Sequence, residues 1–251
     1  MKIGWLFLTL AGLGAAVTGL IGMVPAAQAQ IYVIESTAPA IKVGVQLASA
    51  DTVVIPAGAS IRAVLPSGKT QTVKGPYTGS VADLSKGQEV NDGVVSWLKA
   101  LMQTGGATEA TPGATRSAQL PIARAPPHFS WSTVPTSIDG KVCVERGANL
   151  ALARTPVPVA QRVAVVDAEN AARGEAEWPV NANEVPWPSA VAVRSGGSYY
   201  LLVEGRQRRN VRLELMDKLP ADDDLLAELQ KRGCRYQFEA FVKERLATAK
   251  K

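Results

Sequence analysis

The spacing of apolar residues changes several times along this chain, and each change predicts a different element. Residues 31–79 hold short apolar runs cut by Gly and Pro. Ile31-Tyr32-Val33-Ile34 opens the set, residues 41–47 alternate, and Thr52-Val53-Val54-Ile55 precedes a Pro56-Ala57-Gly58 turn. Residues 60–65 alternate again, Pro66-Ser67-Gly68-Lys69 reads as a hairpin turn, and Thr70-Gln71-Thr72-Val73 returns before Gly75-Pro76-Tyr77 ends the set. Closely spaced strands with turn signals predict an all-β module. Over residues 80–103 the period becomes helical. Asn91-Asp92 suits a helix start, Val94, Val95, Leu98, Leu101 and Met102 share a face flanked by Trp97 and Lys99, and Gly105-Gly106 is a stop.

Residues 104–127 are rich in Gly, Ala, Thr, Pro and Ser and close on Ala125-Pro126-Pro127. Such a composition buries too little apolar surface to order itself. It predicts a flexible linker and two units that move independently. Strand-like runs resume over 128–217: Phe129-Ser130-Trp131, then 141–144, 149–153, 162–166, 175–178, 198–203 and 210–215. Seven or so strands in about ninety residues fit an immunoglobulin-like β-sandwich. Residues 218–251 are helical. Asp222-Asp223-Asp224 favours a helix start, Leu225, Leu226 and Leu229 form one face, and Gly233 ends that helix. Phe238, Phe241, Val242 and Leu246 line a second helix, with Lys243, Arg245, Lys250 and Lys251 suited to its end. The fold expected is therefore mainly β: a small β module with a trailing helix (30–103), a linker (104–127), a sandwich (128–217) and a C-terminal helical tail (218–251).

The start of the chain sets the compartment. Lys2 is followed by an apolar run to about Val24 and by Ala27-Gln28-Ala29, the make-up of a secretory signal peptide over residues 1–29. The mature chain would begin near Gln30, in the periplasm or outside the cell. An uncleaved anchor is the alternative, since about twenty apolar residues can span a bilayer. Gly12, Gly14, Gly19, Gly22 and Pro25 weigh against it. In an oxidising compartment the two cysteines, Cys143 and Cys234, predict one structural disulfide. Two buried free thiols or a redox pair are the alternatives, although a redox pair is normally close in sequence.

Charge and candidate chemistry narrow the function. The net charge of +5 is spread along the chain rather than concentrated with aromatic residues, which argues against a nucleic-acid partner. The glycines form no phosphate-binding spacing, so no nucleotide is expected. His128 is the only histidine and follows Pro127; it reads as an exposed linker residue, and a lone histidine disfavours His-based metal or triad chemistry. Asp222-Asp223-Asp224 lacks the alternating ligands of a Ca²⁺ loop. No metal or cofactor is expected.

A possible binding surface remains: Arg206, Arg208, Arg209 and Arg212, in and after a turn between two strong strands, could meet an anionic partner. Trp131, Trp178 and Trp187 read as core packing rather than a sugar-stacking platform, with Trp187, between Pro186 and Pro188, the one expected to be exposed. Glu175 and Glu177 share a strand face, the weakest of the three functional hints, since a hydrolase also needs a concave site.

Residues 44–47, 50–59 and 64–68 resemble an FecR-type extracytoplasmic β domain: Gly44-Val45-Gln46-Leu47, Asp51 ahead of an apolar run and a Gly, then Val64-Leu65-Pro66-Ser67-Gly68. The resemblance implies a periplasmic β scaffold used in envelope sensing or assembly, and brings no catalytic residues. Regulatory members carry a cytoplasmic anti-sigma segment, for which Met1 and Lys2 leave no room. The reading is an exported, non-enzymatic envelope protein acting through protein contacts, with a periplasmic or membrane protein as partner. The alternative is a binding module for a cell-wall or other anionic polymer, which asks for an exposed Trp187.

Overall fold

A computed structural model describes residues 30–103 and 128–248. The apolar segment and cleavage region, the linker with its Gly105-Gly106 stop, and Lys250 and Lys251 lie outside the described residues. The protein is mainly β, as its apolar periods predict, with two short helices at the C-terminal end.

The first unit contains β1 (Gln30–Ser36), β2 (Gln46–Ala48), β3 (Thr52–Ile55), β4 (Ser60–Val64), β5 (Thr70–Lys74) and β6 (Tyr77–Ser80). An antiparallel sheet runs β2-β1-β4-β5, and β3 pairs with β6 as a separate ribbon. Alternation decides what each face buries. Ile31 and Val33 of β1 join Val53, Ile55, Ile61 and Val73 in a core between sheet and ribbon, whereas Tyr32 and Ile34 point the other way. The β4–β5 turn closes as expected, with the Leu65 N–H donating to the Lys69 carbonyl at 2.8 Å. Gly68 holds a φ of +86°, and a Cβ there would lie 2.8 Å from Val94 and 3.1 Å from the Ala227 side chain, so the hairpin tip is in close contact with two helices. A short helix α1 (Val81–Leu84) starts in a Ser80–Asp83 capping box. The longer α2 (Asp92–Gln103) is capped by Asn91, whose Oδ1 accepts the Val94 N–H at 3.2 Å, and buries Val94, Leu98 and Leu101.

The second unit contains β7 (Thr133–Pro135), β8 (Gly140–Glu145), β9 (Ala151–Ala153), β10 (Gln161–Asp167), β11 (Arg173–Trp178), β12 (Glu184–Pro186), β13 (Ser198–Val203) and β14 (Gln207–Met216). A five-stranded sheet runs β11-β10-β13-β14-β8, with β8 parallel to β14 at one edge. It faces a three-stranded sheet, β12-β9-β7, across a core that includes Val142, Leu152, Val165, Leu201 and Leu213. One sequence expectation fails here: Phe129-Ser130-Trp131 is not a strand. The Ser130 hydroxyl accepts the Ser132 N–H in a local turn, and the Phe129 ring meets Trp131 and Phe241 edge-on, at 5.1 and 5.5 Å between centroids. These aromatics belong to the helices, and pairing begins at Thr133.

Helices α3 (Leu225–Arg232) and α4 (Arg235–Thr248) meet at Gly233, whose left-handed φ of 78° ends α3. They lie between the two β units. Leu225, Leu226, Leu229, Phe238, Phe241 and Val242 form one buried cluster with Tyr32, Ile34 and Val64 of the first sheet and Cys143 and Met216 of the second. Trp97 of α2 meets Phe238 edge-on at 5.3 Å. The tail therefore packs on the second unit and on the first.

Two contacts, one from Cys234 just before α4 and one from Gln237 within it, fix this corner to edge strand β8. Cys143 and Cys234 form the expected disulfide, with Cα atoms 5.8 Å apart across 91 residues of sequence. The fully buried Gln237 replaces a neighbouring strand: its amide donates to the Cys143 carbonyl at 2.5 Å and its Oε1 accepts the Cys143 N–H at 3.4 Å. A buried edge with both groups unpaired would be costly, which explains a glutamine in an apolar layer. The first unit is held by backbone as well as side chains. The Thr70 N–H donates to the Asp223 carbonyl at 2.8 Å, and the Thr70 hydroxyl to the Asp222 carbonyl at 3.0 Å.

Replacing both cysteines by Ser is expected to cost about 2–5 kcal/mol, read as a fall in urea midpoint that dithiothreitol reproduces in the wild type and not in the variant. Gln237→Leu keeps the volume but strands the Cys143 N–H and carbonyl. A loss of about 1–3 kcal/mol is expected, measured by the same titration, with the disulfide still formed by thiol counting.

Candidate functional site

The β13–β14 hairpin carries the arginines singled out above, and strand alternation divides them. Val211, Leu213 and Leu215 face the sandwich core, so Arg209 lies on their side of β14, and Arg208, Asn210 and Arg212 lie on the outer side. Arg209 is engaged: its Nη1 donates to Asp139 Oδ2 at 3.1 Å, and the same carboxylate accepts the Asn210 N–H at 2.8 Å. Arg206 sits exposed in the connecting turn. Arg208 and Arg212 are exposed on the outer face, with the Arg208 guanidinium 3.7 Å above the centre of the Tyr200 ring. The expected cluster of four is thus a pair on one face, a third residue at the turn and a fourth turned away.

The outer face of the five-stranded sheet is covered unevenly. At β8 and the end of β14, α3 and α4 lie over it: Arg232 bonds Glu214 at 3.3 Å, and Lys141 Nζ donates to the Arg232 carbonyl at 3.3 Å. Across β11, β10, β13 and the start of β14 no described element covers it. Its centre is apolar, with Val166, Tyr200 and Leu202 half-buried; Glu175 and Glu177 are exposed on β11, and Arg208 and Arg212 on β14. Glu175 accepts from its neighbour Arg173 at 2.7 Å and, like Glu177, lies on an open strand face rather than in a cleft.

Trp187 corrects an expectation. It is 9% exposed, not solvent-facing. Its Nε1 donates to the Val191 carbonyl at 2.8 Å, its ring meets Tyr199 edge-on at 5.2 Å, and its N–H donates to the Leu150 carbonyl at 2.8 Å. Proline on both sides marks a segment without regular pairing beyond β12, but a large indole whose N–H finds an internal acceptor is best placed inside. Trp178 is fully buried as well, and Trp131 is half-buried.

The segment after Trp187 is anchored by an ion pair that sequence reading missed. Asp167, at the end of β10, is 1% exposed and accepts Arg194 Nη2 at 2.6 and 2.8 Å; it also accepts the Glu169 N–H at 2.8 Å. The Tyr199 hydroxyl donates to the Ala192 carbonyl and accepts the Arg194 N–H, both at 2.9 Å. The Glu169 N–H, and after it the Arg194 guanidinium, hold the Asp167 carboxyl below the usual carboxylate range.

The Asp run is the other missed feature. Asp224 makes no side-chain cap bond to α3. Asp222 and Asp223 lie 3.5 Å from Arg62, and Asp224 lies 3.3 Å from Lys69, so the carboxylates face cations of the first unit. Arg245 adds a 2.7 Å bond to Glu35. Among the described residues, no group of three His, Cys, Asp or Glu is placed to hold a metal ion. His128 is exposed, 3.4 Å from Glu244. No described helix is long and apolar enough to cross a membrane. The chain matches no family model, no curated protein and no solved structure.

Because the folded carboxyl of Asp167 titrates below its unfolded value of about 3.9, its contribution is complete above that value and is lost as pH falls through the folded one. Asp167→Asn is expected to be less stable than wild type near neutrality and to lose less stability on acidification. Urea midpoints taken from about pH 7 to about pH 2 should converge at the acid end; parallel curves would contradict this role.

Proposed function

We propose that this is an exported, non-enzymatic envelope protein that works through protein–protein contacts, as an accessory subunit in sensing or assembly. The observation that carries the reading is the part of the outer sheet face, over β11, β10, β13 and the start of β14, that no described element covers. An apolar centre around Tyr200 and Leu202, rimmed by charge, is the composition of a protein-contact patch. Tyr200 and Arg208, stacked on each other, are residue types that dominate contact energies.

The compartment is supported by two further features. Residues 1–29 have the make-up of a secretory signal, and a disulfide between an edge strand and the junction of two helices is stable where the surroundings are oxidising. The FecR-like reading of the first unit rests on its residues and is consistent with a scaffold role. The immunoglobulin-like reading of the second is supported by two facing sheets with a common core. The polymer-binding alternative asks for an exposed Trp187, and that ring is buried.

A photo-crosslinking residue placed at Leu202 in the exported protein is expected to give a discrete protein adduct, and the same residue at the exposed Val159, outside the outer face, is not. Arg208→Ala with Arg212→Ala should reduce the adduct severalfold. Equal labelling at the two positions, or none at Leu202, would overturn the proposal.

A further inference from the structure

Resting on the reading of the outer sheet face as a protein-contact surface, we infer that its partner is a second copy of this chain. The argument is the order of charges across the strands. Strand pairing aligns Glu175 with Ala164, Ala164 with Leu202, and Leu202 with Arg208. One row across the face therefore reads acid, small apolar, large apolar, base. The next row reads Arg173, Val166, Tyr200, Asn210. On the other side of the first row, Glu177 stands on β11, and the turn carrying Arg206 lies beyond β13.

Two copies of a sheet can pack face to face about a two-fold axis that lies between them. If the axis runs along the strands, β11 of each copy lies over β14 of the other. Glu175 then meets Arg208, Glu177 approaches the Arg206 end, and Ala164 meets Leu202, small against large. In the first row each residue's counterpart is the one its charge or size calls for, and in the next row Arg173 meets the neutral Asn210; the contact is the same from both sides, as an isologous one requires. If the axis runs across the strands, β11 lies over β11, so Glu175 meets itself or Arg173 and Arg208 meets itself or Asn210; only the first arrangement sets Glu175 against Arg208. The strands would align at roughly 30°, as in sandwiches.

The face is four strands wide, roughly 15–20 Å at ordinary strand spacing. That is at the small end for a stable interface, so the association is reversible and depends on concentration. Its ion pairs lie at the rim, so added salt weakens it.

The test uses the full chain, expressed for export and purified, in sedimentation velocity over a wide concentration range at low and high salt. A monomer–dimer equilibrium that loosens with salt is expected. Glu175→Arg alone and Arg208→Glu alone each place like charges together and should weaken the dimer at least about tenfold. The two reversals combined restore opposite charges and should recover most of the loss. Both sites are exposed, and unchanged melting curves would exclude misfolding. The inference is overturned if the chain sediments as a monomer throughout, or if the double reversal associates no better than either single one. A monomeric chain whose Leu202 crosslinks to a different protein overturns this inference and leaves the protein-contact reading standing. No adduct of either kind removes both.

Discussion

Strand β1 is apolar on both faces, and β8 adds the buried Cys143 on the face opposite Val142 and Val144; such positions must be covered a second time. Ile31 and Val33 are satisfied within the first unit, and Val142 and Val144 within the second. Tyr32, Ile34 and Cys143 are left looking outward, and all three close on the same helices. The joint core, the disulfide and the buried amide of Gln237 are consequences of that shared requirement. The ion pairs between the Asp run and Arg62 or Lys69 have exposed carboxylates and contribute little each. The two carbonyl bonds to Thr70, itself 3% exposed, are the firmer part of the attachment.

What the sequence made legible was local. Period-two runs marked most strands, Gly68 and Gly233 marked a turn and a helix end, and the disulfide was readable because Cys143 and Cys234 are the chain's two cysteines. What it hid depended on distant partners. Phe129 and Trp131 alternate like a strand, but the surface they match is helix α4. Strand β12 is too short to carry a period. Asp222-Asp223-Asp224 does stand at the start of α3, but Asp224 makes no side-chain cap bond there, and the carboxylates face Arg62 and Lys69, well over a hundred residues away in sequence. Trp187 looked exposed because its neighbours are prolines, although its acceptor is four residues on. The helix α4 buries Gln237, Phe238, Ala240, Phe241 and Val242, which wrap more than half its circumference. The side read from the sequence, Phe238, Phe241 and Val242, is buried as expected; the burial of Gln237 and Ala240 beside it is what the sequence hid.

The division of the arginines was readable and was missed. Counting back in twos from Leu215 through Leu213 and Val211 puts Arg209 with the core side and Arg208 and Arg212 outside. A basic run on a strand is never one surface. Here the same rule that splits the run also sets a glutamate and an arginine at opposite ends of one row.

The helices that complete β1 come late in the chain: Glu35, at the end of that strand, is bonded to Arg245, 210 residues on. A polypeptide grows from its N-terminus, so the first sheet can pair its strands and bury Ile31 and Val33 while Tyr32, Ile34 and Val64 still have no cover. Until α4 arrives, that half-finished face is a sticky apolar surface in a crowded compartment, of the kind that holding chaperones shield. The disulfide does not tie this sheet down, because both its cysteines belong to the later part of the chain. Closing it pins the start of α4 to the second unit, and α3 and α4 then carry the apolar residues that cover Tyr32, Ile34 and Val64. Assembly in that order would make the oxidation of Cys143 and Cys234 a step toward finishing a sheet in which neither cysteine lies.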